Sequence, residues 1–250
     1  MTEQLTDLEL ERYARHIVLP QVGGVGQRRL KATRVAVVGA GGIGSAVIPA
    51  LAGAGIGRLT IIDGDTIDFA NLHRQTIYRE CDQGLGKAER AAAFVAALNH
   101  FIDAVPIAER LAGGNAARIL ANHDLVIDGS DNFATRLVVG DTCVALGIPL
   151  VSAAAIQFQG QVGLFETRPC YRCFVGSAFD SDDCDNCAEL GVLGALTATT
   201  GSFAAMMAIH RVVGVGPADA GVVHLLDGER LSWRQIRIPR DPACQTCGSA

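Results

Sequence analysis

The stretch DGDTIDFANLHRQTIYRECDQGLGKAER, residues 63–90, gathers more anion-binding chemistry than a plain nucleotide-binding unit needs. Asp63 is followed in quick succession by Asn71, Arg74, Gln75 and Lys87. A nicotinamide cofactor carries two phosphates held mostly by backbone, and hydride transfer uses no lysine–arginine cage. ATP carries three, and attack at its α-phosphorus builds charge on the departing pyrophosphate. Positioned Arg and Lys, helped by neutral donors and Mg²⁺, answer that need. Asp131, in DGSDN, adds a carboxylate of the kind that ligates Mg²⁺ beside a polyphosphate. Singly, each of these residues would be read as a surface charge or turn former. Their combination and order point to nucleotidyl transfer.

A second constellation is sulfur. Cys170–x–x–Cys173 and Cys244–x–x–Cys247 are knuckle-like pairs, and Cys184–x–x–Cys187 is a third. Four thiolates suit tetrahedral Zn²⁺, and a closed set of four favours a structural over a catalytic role. Spacing alone leaves open which four thiols bind. Cys81 and Cys143 read as small buried hydrophobes.

These side chains need a scaffold. RVAVVGAGGIG reads as strand, glycine turn and helix start, with Gly39, Gly41 and Gly44 in G-x-G-x-x-G order. Such a loop sets a phosphate on a helix N-terminus, and Asp63 stands where an acid accepts from ribose hydroxyls. Pro49 should kink the helix that follows, and Gly57 is expected to cap it. TDLE at 6–9 has capping-box form and starts a helix to about Ile17. Strands then alternate with helices as far as IPLVSAAA, which predicts a Rossmann-like, doubly wound, mainly parallel sheet. Beyond Ala155 the runs GQVGLFE, GVVHLLDG and SWRQIRIP predict an antiparallel C-terminal extension, with a long apolar helix over 195–214. The whole of 1–250 reads as one α/β domain: N-terminal helices over 1–33, a nucleotide-binding part over 34–155, and a carrier- and zinc-binding part over 156–250.

Composition narrows the partners. Net charge is −5 over 250 residues with no basic block, which argues against a nucleic-acid groove. No secretory signal opens the chain, and the uncharged stretch 35–57 holds a glycine-rich turn and a proline, unlike a membrane span. Eight cysteines in such a chain suggest metal or catalysis in a cytoplasmic setting rather than disulfides.

RYARHI (12–17), GAGGIG (39–44), DGDTIDFANLHRQ (63–75), GLGK (84–87) and GSDN (129–132) together resemble the MoeB/ThiF/HesA group, relatives of the ubiquitin-activating enzymes. The resemblance implies an ATP-dependent adenylyltransferase. Its substrate would be the C-terminal glycine carboxylate of a ubiquitin-fold sulfur carrier ending in Gly-Gly, activated as an acyl-adenylate. It assigns Gly39, Gly41, Gly42 and Gly44 to the nucleotide loop and Asp63 to the ribose. Asn71, Arg74, Gln75 and Lys87 go to the phosphates, and Asp131 to Mg²⁺. Arg15 matches an arginine that the family supplies across a homodimer interface, completing a catalytic set with Arg74, Lys87 and Asp131. His16 departs from the glutamine of many relatives. The resemblance also gives Zn²⁺ to Cys170, Cys173, Cys244 and Cys247 and marks Cys187 as a candidate reactive thiol. No rhodanese-type domain follows the last knuckle, so sulfur is expected from a separate desulfurase or rhodanese-type donor. The carrier stays open between the molybdopterin-synthase small subunit and the thiamine-pathway protein. A tRNA-base-activating member of the superfamily and a nicotinamide oxidoreductase are the alternatives.

Overall fold

The computed structural model describes residues 4–176, 190–216 and 220–248. Its centre is an eight-stranded sheet, in the order β3-β2-β1-β4-β5-β6-β7-β8. Five strands are parallel: β1 (Arg34–Val38), β2 (Arg58–Ile62), β3 (Asp103–Ile107), β4 (Leu125–Asp128) and β5 (Leu150–Ile156). The antiparallel strands β6 (Gln159–Phe165), β7 (Val222–Asp227) and β8 (Ser232–Arg237) extend it. Both the doubly wound half and its extension thus match the expectation. Pro106, which cannot donate to a ladder, sits in β3 at the sheet edge, where that loss costs least.

Alternate residues of RVAVV feed two cores. Val35 and Val37 join one that includes Leu30, Ile48, Leu51, Leu59 and Ala204. Ala36 and Val38 join a second with Leu120, Val126, Val139 and Tyr171. Burial on both faces is why these strands read as continuous apolar runs. The first core is closed by α3 (Gly23–Ala32), α4 (Gly44–Ala54), α5 (Lys87–Leu98) and α9 (Gly194–Val213). The second is closed by α6 (Ala116–Leu120), α7 (Phe133–Leu146) and α8 (Tyr171–Val175). No helix among the described residues is long and apolar enough to cross a membrane.

Four local expectations need adjustment. The capping box forms, with the Thr6 amide donating to Glu9 Oε2 at 2.8 Å, but the helix breaks at Tyr13 into α1 (Asp7–Arg12) and α2 (Ala14–Ile17). Tyr13 is drawn into the core, where its hydroxyl accepts from Asn99 Nδ2 at 2.9 Å. The cap of α4 is Gly55, at φ 85°, not Gly57. Gly57 serves another purpose: a Cβ there would collide with the Lys31 carbonyl. Pro49 lies inside α4 without ending it. Cys81, expected to be buried like Cys143, is exposed instead.

Candidate active site

In an open α/β sheet, ligands bind beyond the carboxyl ends of the strands, where the strand order reverses. Here that point lies between β1 and β4, and the loops that leave them touch. Gly39 sits at φ 88°, and a Cβ on it would meet the Ser130 amide at 3.0 Å. A Cβ on Gly44 would strike the Gly39 carbonyl, whereas one on Gly41 would meet nothing nearer than Gln75 Nε2 at 3.6 Å. The loop is therefore packed shut on two sides and open at its middle glycine. Gly42 packs under Thr197 of α9.

Asp63 is clamped to this loop. Its Oδ2 accepts from the Ala40 amide and its Oδ1 from the Asp65 amide, each at 2.8 Å. Burial pushes its pKa up, although Lys87 and the two amides oppose the shift. Tyr78 donates to the Ala40 carbonyl at 2.9 Å and also lies against the Lys87 carbonyl, joining the glycine loop to the start of α5.

Gln75 lies against Gly41 and Lys87 beside Asp63, and the cage residues have local partners. Arg74 Nη2 donates to Asn71 Oδ1 at 2.7 Å, and Arg74 Nη1 pairs with His73 at 2.9 Å. Gln75 is buried, and its Oε1 has no partner among the described residues. Lys87, also buried, pairs through Nζ with Asp65 Oδ2 at 3.2 Å. Asp65 also takes Arg110 at 3.1 Å; burial raises its pKa, but the two cations outweigh that and leave it lowered. Asp131 is exposed and makes no hydrogen bond or ion pair among the described residues. A free carboxylate at a strand's end, next to the glycine loop, is a donor suited to a hard divalent cation. Arg15 is exposed on α2, with no hydrogen bond or ion pair among the described residues.

Sequence reasoning passed over Asp65, Tyr78, Asp128 and Arg136. Asp65 was legible within DGD as a second acid. The other three act through buried contacts that no local pattern announces.

Beside the crevice, the first turn of α9 packs on Arg74: a Cβ on Gly194 would lie 3.4 Å from Arg74 Cα. Leu193, just before it, lines a groove of about 530 Å³ with Gln157, Phe158, Leu190 and Glu229.

The four expected cysteines come together. Cys170 Sγ lies 3.9 Å from Cys173 and 3.6 Å from Cys244, and Cys173 lies 3.4 Å from Cys247. A tetrahedron with metal–sulfur bonds of about 2.3 Å has sulfurs about 3.8 Å apart, so the donor set fits. Asp141 locks the tail beside it, accepting from Thr246 Oγ1 at 2.7 Å and from Arg172 Nε at 2.8 Å. Cys184 and Cys187 lie outside the described residues.

A family model described as the ThiF family matches residues 13–246. The chain belongs to the ThiF family. Among this ThiF-family chain's curated relatives, a sulfur carrier protein adenylyltransferase of Thermus thermophilus is 43% identical over 97% of this chain and 92% of its own length. A molybdopterin-synthase adenylyltransferase of Escherichia coli is 38% identical, covering 98% of this chain and 99% of that protein. Among solved structures, E. coli MccB with MccA-N7isoASN superposes at a TM-score of 0.84 and 23% identity, over 96% of this chain and 75% of that one. That last likeness is one of fold.

Proposed function

We propose that this ThiF-family chain is an ATP-dependent adenylyltransferase acting on the C-terminal glycine carboxylate of a small ubiquitin-fold sulfur carrier. The observation that supports the reading is the placing of Asp63, Gln75 and Lys87 against an open glycine loop at the sheet's switch point, with Asp131, unpaired among the described residues, in the adjoining loop. The names and near-complete coverage of the relatives support it.

Asp63, held by two amides, presents its carboxylate to ribose hydroxyls. The buried Gln75 oxygen, without a partner among the described residues, orients a donor in the crevice. Arg74 exchanges the neutral Asn71 amide oxygen for charged phosphate oxygens, which are stronger acceptors for a cation, and Lys87 turns from Asp65 to the phosphates. The carrier's carboxylate attacks the α-phosphorus in line and pyrophosphate departs, leaving the acyl-adenylate. A carboxylate is already a nucleophile, so the chain supplies position and charge neutralisation rather than a general base. Asp131 would hold Mg²⁺, which supplies charge neutralisation to the phosphates when bound. The groove at Leu193 and Glu229, opening beside Arg74, suits an extended Gly-Gly tail.

The Cys170, Cys173, Cys244 and Cys247 set is a structural Zn²⁺ site, and free thiols elsewhere suit a reducing cytoplasm. The continuous sheet supports reading 1–250 as one domain. Leu8, Val18, Leu19 and Val25, all exposed around Arg15, form the face of a homodimer in which Arg15 reaches the partner's pyrophosphate side. Molybdenum-cofactor and thiamine pathways are both served by such carriers, and a separate donor brings the sulfur, with Cys187 a candidate to receive it.

Carrier-dependent ATP–pyrophosphate exchange tests the reading. Arg74→Ala and Asp131→Ala are expected to abolish exchange with an unshifted thermal transition, since neither side chain is fully buried. Full exchange in either variant refutes its assignment.

A further inference from the structure

Asp131 is presented by a loop that is gripped from below. Ser130 directly precedes it, and both peptide groups of Ser130 are held by buried side chains. Its amide donates to Asp128 Oδ1 at 3.0 Å, and its carbonyl accepts from Arg136 Nη2. Asp128 is fully buried at the end of β4, and its Oδ2 has no hydrogen-bond partner among the described residues. Arg136, one helical turn into α7, is buried as well. It stabilises Asp128 electrostatically, against the burial that pushes the carboxyl's pKa up. Behind Arg136 stands Tyr171, whose hydroxyl is near enough to interact with Arg136 and Ser152. Tyr171 opens α8 next to Cys170, and its ring packs where Gly140 leaves room.

A buried guanidinium is costly unless it is paired and hydrogen-bonded, and Arg136 meets that cost through the Asp128 carboxylate and the Ser130 carbonyl. The loop it fixes ends in Asp131, which makes no hydrogen bond or ion pair among the described residues. We propose that Arg136, backed by Tyr171 and Asp128, is a positioning residue that sets where the Asp131 carboxylate stands for the divalent cation of a bound nucleotide. The inference rests on the nucleotide reading above. It adds a side chain that touches neither nucleotide nor cation.

The test separates cation-dependent from cation-independent affinity. The full-length chain is titrated with α,β-methylene-ATP in EDTA and again with Mn²⁺, for wild type, Asp131→Asn, Arg136→Ala, Arg136→Lys and Tyr171→Phe. Outer partners of a metal ligand are worth on the order of 10- to 100-fold in metal affinity. Arg136→Ala is therefore expected to lose about tenfold with Mn²⁺ and to change little in EDTA. Arg136→Lys keeps a charged donor without the fork and recovers part of the loss. Should Arg136→Ala not fold, Tyr171→Phe, which deletes one oxygen, shows the same split at smaller size. Equal losses with and without Mn²⁺, or none, overturn the inference. If wild type binds nucleotide and Asp131→Asn loses the Mn²⁺ effect while the Arg136 and Tyr171 variants keep it, the inference fails alone. If wild type binds no nucleotide, the underlying reading fails with it.

Discussion

Removing metal from the four-cysteine cluster should lower the thermal transition by an amount the structure lets one estimate. The cluster closes a loop of 74 residues between Cys170 and Cys244. A crosslink of that span takes about 4 kcal/mol of chain entropy out of the unfolded state. Because an unfolded chain holds no preformed site, that free energy belongs to folding. In a chain of this size each kcal/mol moves the midpoint by roughly 2–4 °C, so the full effect is about 8–16 °C. A smaller shift would mean that only the tail detaches, breaking the bond from Thr246 to Asp141 while the sheet persists. Calorimetry of protein with one bound zinc, before chelation, after it and after zinc is restored, measures the shift. Cys244→Ser should reproduce the chelated value, and Cys187→Ser should leave both zinc content and midpoint alone. A midpoint unmoved after complete zinc removal would refute the crosslink argument.

Gly53→Ala should stabilise the protein by about 0.5–1 kcal/mol, because Gly53 is a helical position with nothing within 4 Å of an added Cβ. Gly57→Ala should do the reverse, since its Cβ would collide with the Lys31 carbonyl; denaturant midpoints of both variants check the pair. His123 pairs with Thr60 Oγ1 at 2.8 Å and the Leu120 carbonyl at 3.1 Å, and burial lowers its pKa below 6.5 despite the carbonyl's opposing pull. The neutral ring's contribution is therefore complete above pH 6.5 and lost as pH falls through the lower folded value. Melting curves across that range should be flatter for His123→Asn, and parallel curves would contradict the sign.

How much the sequence disclosed depends on how far apart the cooperating residues lie. Thr6 and Glu9 are three residues apart, and their capping box formed as read. The alternation that sends Val35 and Val37 one way and Ala36 and Val38 the other is written within five residues, so the buried strand was plain. Gly55 and Gly57 were confused because their duties differ only at long range. One supplies a left-handed cap, and the other makes way for a helix from which a strand and a second helix separate it in the chain. Tyr13 breaks its helix to reach Asn99, a partner invisible from residue 13. The same limit governs the site. The residue types of the cage were legible, but their availability was not. Lys87 reads as a free cation, yet the fold pairs it with Asp65, and Asp65 with Arg110. Asp131 reads as one acid of two in DGSD, yet only the fold buries Asp128 and leaves Asp131 open. Charge is a property of the residue, whereas the freedom to use that charge on a ligand is a property of what the closed chain has set beside it.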